Sequence, residues 1–532
     1  MSATEAYLPA DRSEPLIEKS VGELLREVAA AEPNRVFLID GSGEHATRER
    51  MSYGAVLRDA EKVARFLQRE FSAEENVAVW APNSLEWVLL ELGAALAGIT
   101  LVMINPAFRR DEVAYVLNQS RAVALFLVDE YRDNPMAATI ATLRSELPHL
   151  RKVYRYEDWP GLREQASMEP LPTVSPHQPM MIQFTSGTTG KPKGAVLTHH
   201  GVLNTSQLTV RRLDLPSHAI WLLATPLFHT GGSVYCLLGT LCNRGALVVM
   251  PTFDPGLLIR LVEEESVNYF QSVPTLHLRV LEHPEFSSAR VSSLLGIGSG
   301  GTTVPEELVH RFESDYGAEY FMIFGQTELS STTTHTGRGD TTAHKARTIG
   351  LALPHIEMKV TDPETGATVA RGDAVGEICV RGFSVMKEYF SMPEQTAKTI
   401  DADGWLHTGD LGCMDEDGYM RITGRLKDMI IRGGENIFPR EIEDALAAHP
   451  AVGEVAVIGI PDREWGEQIA AIVRLRPGLS ASAAELEQFL RERIARHKVP
   501  RRWHFVEQFP VTPSGKIKKF ELRETYGTTA AA

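Results

Sequence analysis

The sequence predicts an α/β protein: a large N-terminal body of two α/β subdomains plus a small β unit, followed by a separate C-terminal α+β domain. Three observations carry this. From Asn76 short apolar runs alternate with helical segments, the pattern of a parallel sheet covered on both faces. Between about Thr348 and Thr423 the text changes to brief runs such as EMKVTD, GEICVR and GYMRIT, punctuated by Gly and Asp, which suits small antiparallel strands. Beyond Arg425 helical and strand patterns return in a stretch long enough for one further compact unit. A length of 532 residues accommodates three or four such units.

Taken in order, VAVWAP reads as a strand, Ser84 to Ala97 as a helix, LVMI as a strand, Asp111 to Asn118 as a helix and ALFLV as a strand. A polar, Pro-containing connection from about Asp133 to Pro179 separates this half from a second, in which MIQF, AVLT, AIWLLA, ALVVM, VNYFQ, SSLLGI and EYFMIF are the expected strands. In the C-terminal unit Pro439 to His449 is a helix with Pro in its first turn. EVAVIGI and IAAIVRL are strands, and Ala483 to Arg496 is an amphipathic helix. The expected division is residues 1–424, a hinge at 425–428 in the segment GRLKD, and residues 429–532.

Composition excludes several classes. With 43% apolar and 23% charged residues, the bulk of the chain is neither disordered, coiled coil nor collagen-like. Lys plus Arg number 54 against 69 Asp plus Glu, a net charge of -15, so no global positive field collects nucleic acid or anionic membrane. Any anion must be held by a local site. Cys236, Cys242, Cys379 and Cys413 form no C-x-x-C pair, which argues against a zinc site or disulfide framework and for a reducing compartment. The longest apolar stretch, Leu92 to Ile104, falls short of the roughly 20 residues of a membrane span. The N-terminus has neither a basic nor an apolar signal region, so the expected location is the cytoplasm.

The segment richest in chemistry is Thr185-Ser186-Gly187-Thr188-Thr189-Gly190-Lys191-Pro192-Lys193-Gly194, directly after the apolar run MIQF. Glycines let the backbone turn its N-H groups toward one locus, while hydroxyls add donors and lysines add charge. Together they make a cradle for polyphosphate. It is not a Walker A loop, because two residues rather than four separate Gly187 from Gly190, and Pro192 follows Lys191. A competing signal, Gly296-x-Gly298-x-x-Gly301 with Glu319 downstream, matches a dinucleotide fingerprint and would mean an oxidoreductase; a lone match of this kind is weak.

TSGTTGKPKG resembles the signature of the adenylate-forming superfamily of acyl-CoA synthetases, peptide-synthetase adenylation domains and luciferases. The resemblance continues in that family's order through PLFHTGG at 226–232, GSGGT at 298–302, FGQTE at 324–328, GWLHTGDLG at 404–412, GRLKDMIIRGGENIFP at 424–439 and PVTPSGKIKK at 510–519. It implies an ATP-dependent acid:CoA ligase with ATP, Mg2+ and coenzyme A. In the implied reaction a carboxylate attacks the α-phosphate of ATP, pyrophosphate leaves, and the acyl group of the acyl-AMP passes to the CoA thiol. Two anions must be brought together, so the site neutralises charge as it aligns them.

By resemblance, Thr185, Ser186, Gly187, Thr188, Thr189, Gly190, Lys191 and Lys193 hold the β- and γ-phosphates, and Glu328 with Thr185 holds Mg2+. Gly301, Thr302, Phe324, Gly325, Gln326 and Thr327 complete the nucleotide set, with Phe324 where the family usually has Tyr. Asp410 accepts from the ribose hydroxyls and Arg425 partners ribose and phosphate. Lys516 reaches the substrate carboxylate and α-phosphate during adenylation. Lys427 marks the hinge of a mobile C-terminal domain, and Arg432, Gly433 and Gly434 belong to the loop that lines the pantetheine tunnel after rotation. The acid is expected against His229, Gly231, Gly232, Ser233, Ser299, Gly300, Gly301, Gln326 and Ser330. No Asp or Lys stands among them to pair an amino-acid ammonium, so an apolar fatty or aromatic acid is expected, with small residues around 231 and 300 leaving room for it. Two alternatives stay open: transfer of the acyl group to an amine or to a carrier-protein thiol in trans, and a non-catalytic nucleotide-binding module.

Overall fold

A computed structural model describes residues 4–164, 170–185, 192–300, 304–433, 435–511 and 517–527. Its N-terminal body is built on three sheets. The first has seven strands in the spatial order Glu388–Tyr389, Gly194–Thr198, Pro179–Phe184, Thr100–Ile104, Asn76–Trp80, Ala124–Leu127 and Lys152–Arg155. Five of these, from Pro179–Phe184 to Lys152–Arg155, run parallel. The second has nine strands, and at its centre Tyr269–Ser272, Gly296–Gly300 and Glu319–Phe324 lie parallel side by side.

The two subdomains interleave in sequence, which corrects the expected split. The runs MIQF and AVLT do not open the second half. Pro179–Phe184 pairs with Thr100–Ile104 in the first sheet and turns back on Gly194–Thr198 as an antiparallel hairpin. Conversely Val36–Asp40 and Arg50–Ser52, which precede the first sheet in sequence, close the edge of the second. Apolar alternation marks strands correctly but carries no information on which sheet a strand joins. The run SSLLGI contributes its end only, since the strand is Gly296–Gly300.

Helices fill the space between these sheets. Leu85–Ala97 is capped by Ser84, whose side chain accepts from Trp87 N, and it ends at Gly98 with φ of +69°, a value glycine tolerates freely. All of its residues but Glu86 are buried. A single apolar cluster joins Val77, Leu101 and Met181 of the first sheet to Trp221, Tyr269 and Phe321 of the second. The helix at 110–119 lies within one residue of its expected limits at each end.

The third sheet is antiparallel, as the sequence predicts for 348–423: Ile356–Thr361, Gly376–Gly382, Leu406–Met414 and Met420–Arg425, with Tyr7–Leu8 added at its edge. A short 3-10 turn, Leu426–Asp428, leads on to a C-terminal sheet of five strands. There Val452–Asp462 and Gly466–Leu475 form a long hairpin, and Pro439–Ala447, Ala483–Arg491 and Lys519–Gly527 are the helices. The second of these stops five residues before its expected end. Ser482 and Glu485 make a reciprocal cap at its start, and the chain beyond Arg491 turns instead into a 3-10 segment at Arg496–Lys498.

The dinucleotide fingerprint is not borne out. Gly296 to Gly300 are themselves the strand rather than a strand-to-helix turn, and Glu319 begins the neighbouring strand, where it is ion-paired to Lys345 at 2.5 Å. Gly301 lies outside the described residues.

Candidate active site

The segment from Phe324 to Glu328 leaves the C-terminal end of a central strand of the second sheet and connects the two halves of the site. Phe324 ends that strand, 7% exposed and packed in an apolar cluster with Leu329 and Leu208. At Gly325 a Cβ would lie 1.5 Å from the Ser331 carbonyl oxygen, so no side chain fits there. The chain then makes a 3-10 turn, Thr327–Leu329, and continues through Ser330 and Ser331 in left-handed conformations (φ +56° and +100°).

On one side of this turn Gln326 Nε2 donates to Asp410 Oδ2 at 2.7 Å and to the Thr408 carbonyl at 3.0 Å. Asp410 is 3% exposed, and its other oxygen meets Arg425 Nε at 3.0 Å across the strand pair Leu406–Met414 and Met420–Arg425. Two donors thus compensate this buried carboxylate. The preceding residues hold it in place. His407 Nδ1 lies 2.8 Å from Glu377 Oε2, the other Glu377 oxygen accepts from Gly409 N at 3.0 Å, and Asp410 N donates to Thr408 Oγ1 at 3.1 Å.

On the other side Glu328 Oε1 accepts from Tyr389 Oη at 2.6 Å, and Lys193 Nζ stands 4.2 Å from the centre of the same Tyr389 ring. Burial first, and then the Glu328 carboxylate, push the Tyr389 phenol well above its ordinary pKa, so it stays a donor to Glu328. Tyr389 pairs with Ala195 on the hairpin strand that leaves the Gly/Thr-rich loop. The ends of that loop are fixed, with Thr185 N donating to Lys193 O at 3.0 Å. The loop therefore springs from a β-hairpin, unlike the strand-to-helix arrangement of a Walker A loop. Ser186, Gly187, Thr188, Thr189, Gly190 and Lys191 lie outside the described residues, as do Thr302, Gly434 and Lys516.

Tyr389 was not legible as a site residue. Its only sequence signal is an aromatic flanked by charges in KEYF, which is commonplace.

The expected acid wall is only partly free to be one. His229 is exposed, and its Nδ1 accepts from Gly231 N at 3.0 Å, capping the π-helical turn Gly231–Leu238. Gly232 and Gly300 are small for a backbone reason rather than to leave room, which corrects the expectation. Their Cβ positions would meet Pro226 O at 2.2 Å and Ile323 O at 2.6 Å. Ser233 is fully buried and accepts from Gln183 Nε2 at 2.8 Å, while Ser330, 1% exposed, donates to the Ser384 carbonyl at 2.7 Å. Both hydroxyls are thus committed to packing. Ser331, absent from the expected set, reaches the Thr230 carbonyl at 3.3 Å and ties the two loops together. Gly231 faces Gln271, whose Oε1 is buried without a hydrogen-bond partner 3.5 Å from the Gly231 Cβ position. Ser299 is buried too, but it pairs with Ser272 rather than with Gln271, so its side chain lies on the opposite face of the sheet and not beside Gln271, which corrects its place in the expected acid wall.

In the C-terminal domain Gly433 has φ of +60°, and a Cβ there would lie 2.6 Å from the Trp465 ring. Arg432 does not project as a free cation. It is 7% exposed, donates to Gln468 Oε1 at 2.8 Å and packs over Trp465 at 4.6 Å, so it braces the loop from behind. Lys427 lies exposed on the 3-10 turn, where the protein packed around its stem, then the nearby Arg425, push its pKa down to about 8 against the pull of Asp428 and Asp410.

Comparisons with known proteins identify the family. The AMP-binding enzyme family matches residues 25–390, and the AMP-binding enzyme C-terminal domain matches 441–516. A putative acyl-CoA synthetase, YngI of Bacillus subtilis (strain 168), is 36% identical over 96% of this chain and 97% of its own. The mitochondrial medium-chain acyl-CoA ligase ACSF2 of Macaca fascicularis is 33% identical over 98% of this chain and 89% of its own. Among solved structures, ATP-bound MatB from Rhodopseudomonas palustris superposes with a TM-score of 0.87 at 28% identity, covering 96% of this chain and 99% of that one; its apo form gives 0.76. The chain belongs to the AMP-binding enzyme family, the adenylate-forming superfamily to which these acyl-CoA synthetases belong.

Proposed function

We propose that this enzyme is an ATP-dependent acid:CoA ligase that activates an apolar carboxylic acid as its acyl-adenylate and passes the acyl group to the CoA thiol. The observation that carries the reading is the single turn, Phe324–Glu328, that joins two polar sites. One is the compensated carboxylate Asp410 with Gln326 and Arg425, suited to ribose hydroxyls. The other is Glu328 with Tyr389 and Lys193, at the mouth of the phosphate loop. Their separation along one turn suits the two ends of a nucleoside triphosphate.

In the first step a carboxylate oxygen bonds to the α-phosphorus as the bond to pyrophosphate breaks. Lys193 and the loop donors offset the charge of the departing phosphates, Asp410 and Gln326 hold the ribose end, and Lys516 is the cation for the attacking carboxylate. Glu328 and the Thr185 hydroxyl supply hard oxygen ligands of the kind Mg2+ takes, and the ion would neutralise phosphate charge there. In the second step the CoA thiol attacks the acyl carbonyl and AMP leaves. Gly433, which admits no side chain against Trp465, allows close approach of a slender arm. The residues around Gly231 and Gln271 named above include no carboxylate to pair an ammonium, which favours an apolar acid over an amino acid.

Among the described residues no helix is long and apolar enough to cross a membrane. The four cysteines are all free, in keeping with a reducing, cytoplasmic setting. The test is product mass from ATP, Mg2+ and a panel of fatty and aromatic acids, with CoA, amines and holo-carrier protein offered side by side. Acyl-CoA with AMP and pyrophosphate is the expected outcome. Acyl-amide or acyl-carrier alone would reassign the acceptor. Absence of acid-dependent pyrophosphate exchange across the panel would remove the catalytic reading altogether.

A further inference from the structure

Glu377 and Cys379 stand two residues apart on the strand Gly376–Gly382, hence on one face of the third sheet, and His407 is the residue opposite Cys379 on the neighbouring strand. Their donor atoms all lie within 4.8 Å of one another. His407 Nδ1 is 2.8 Å from Glu377 Oε2 and 3.6 Å from Cys379 Sγ. No C-x-x-C pair is needed for such a set, because strand pairing joins residues far apart in sequence.

The distances fit a four-coordinate ion of the zinc type. With bonds of about 2.3 Å to sulfur and about 2.0 Å to nitrogen, tetrahedral geometry sets those two ligand atoms about 3.5 Å apart, close to the separation found. Nitrogen and oxygen ligands stand about 3.3 Å apart, so the His407–Glu377 pair has to open by about 0.5 Å. Each ligand also has an outer partner. Thr361 Oγ1 lies 3.4 Å from Cys379 Sγ, the second Glu377 oxygen accepts from Gly409 N at 3.0 Å, and Asp401 Oδ2 lies 3.7 Å from His407 Nε2. With a metal on Nδ1 the ring keeps its proton on Nε2, facing that carboxylate, which is how zinc-ligating histidines are oriented. Cys379 is fully buried and Glu377 nearly so, while His407 is part-exposed and leaves a way in from solvent, with water as the fourth ligand. Thiolate and imidazole together select zinc-like ions over Mg2+, which sets this cluster apart from Glu328 and Thr185.

The cluster stands at the root of the segment that carries Asp410. Between the pairs Cys379–His407 and Glu377–Leu411 one strand advances two residues and the other four, so Thr408, Gly409 and Asp410 bulge from the ladder. Glu377 holds Gly409 within that bulge, so an ion that draws Glu377 or His407 aside shifts what positions Asp410.

We propose that Glu377, Cys379 and His407 bind one thiophilic divalent cation such as Zn2+, which takes the place of the Cys379 thiol proton and of the proton between His407 and Glu377, and that its binding weakens the nucleotide site at Asp410. The metal site stands on its own geometry; its effect on nucleotide rests on reading Asp410 as the ribose carboxylate.

The experiment titrates the chelator-treated full chain with Co2+ and then Zn2+ under a phosphine reductant. A thiolate-to-cobalt charge-transfer band should saturate at one equivalent, disappear on addition of Zn2+, be absent from Cys379→Ala and persist in Cys413→Ser. Cys379→Ser, closer in shape to the wild type, should also lack the band and serves if the alanine variant fails to fold. X-ray absorption of the zinc-loaded wild type should show one sulfur at about 2.3 Å among nitrogen and oxygen neighbours. The second arm measures AMP affinity by calorimetry, since AMP chelates divalent ions far more weakly than ATP. Saturating Zn2+ should lower that affinity about fivefold or more in the wild type, the low end of ordinary coupling between sites, and leave it constant in Cys379→Ala or Cys379→Ser. Absence of the band, or its survival in both Cys379 variants, would overturn the site. A bound ion that leaves AMP affinity unchanged would overturn its hold on Asp410. If AMP fails to bind the metal-free wild type, it is the nucleotide reading that has failed, and the cobalt spectrum still decides the metal site.

Discussion

At the scale of single residues the site depends on side chains that hold other side chains. Tyr389 joins Glu328 to Lys193, and replacing it by Phe keeps the ring under the lysine while removing the donor to the carboxylate. A hydrogen bond to a charged group is worth about 1.5–3 kcal/mol, so Tyr389→Phe should lower kcat/KM for ATP by roughly ten- to a hundredfold. Thermal stability should change little, and the rate should respond more steeply to Mg2+ concentration than in the wild type. Steady-state kinetics with ATP and Mg2+ varied separately would check this; an unchanged Mg2+ dependence would mean that Tyr389 does not orient Glu328. Gly325→Ala makes the opposite kind of demand. Its Cβ would meet the Ser331 carbonyl at 1.5 Å, and overpacking of this kind costs about 1–3 kcal/mol. A lower melting temperature together with a raised KM for ATP is expected, because the displaced turn carries both Gln326 and Glu328. These two residues also mark the limits of sequence reading. Gln326, Glu328 and Asp410 were legible because they sit in motifs with fixed neighbours. Tyr389 was not, because what matters is its register on a strand beside the loop, which no local pattern encodes. Ser233 and Ser330 failed in the reverse direction, for their positions are near the pocket but their hydroxyls point into the packing.

At the scale of elements the legible part is the identity of each strand and helix. Capping at Ser84 and Ser482, Pro in the first turn of Pro439–Ala447, and the glycine-punctuated antiparallel strands are all local chemistry. Sheet membership is not local: Pro179–Phe184 and Val36–Asp40 each join the sheet that sequence order would not assign them, because pairing is decided by long-range burial. The turn Leu426–Asp428 permits a prediction of its own. In this arrangement Lys427 is driven toward its neutral form, its pKa pushed down to about 8 from the ordinary lysine value. Burial is the first cause and Arg425 the second, with Arg523 adding to them while Asp428 and Asp410 oppose. An arrangement that moved Lys427 away from these neighbours would hold more protons between about 8 and its ordinary value, so raising the pH through about 8 favours the arrangement seen here. If this is the adenylating arrangement, acid-dependent pyrophosphate exchange should gain an upward limb above pH 8. Lys427→Met, uncharged throughout, should lose that limb while keeping the rest of the pH profile. A limb that persists in Lys427→Met would assign it to another group.

At the scale of the whole molecule, we propose that one small domain completes two reactions with two different faces. Lys516 and the segment Arg432 to Asn436 are far apart in the C-terminal sequence, which follows the large body through residues 425–428. On that basis the half-reactions should separate cleanly by mutation. Lys516→Ala removes a point charge from the first step alone, so acyl-AMP formation should fall by several orders of magnitude while thioester formation from supplied acyl-AMP and CoA stays within a few fold of wild type. Lys427→Pro fixes φ at the turn and restricts the residue before it, so it hinders rotation without touching either set of reacting groups. It should therefore spare pyrophosphate exchange and depress the thioester step. The paired measurement discriminates because a merely destabilised enzyme would lose both activities together. If each substitution slowed the two half-reactions equally, a single fixed arrangement would have to serve both, and the rotation about Lys427 would have no role in this enzyme.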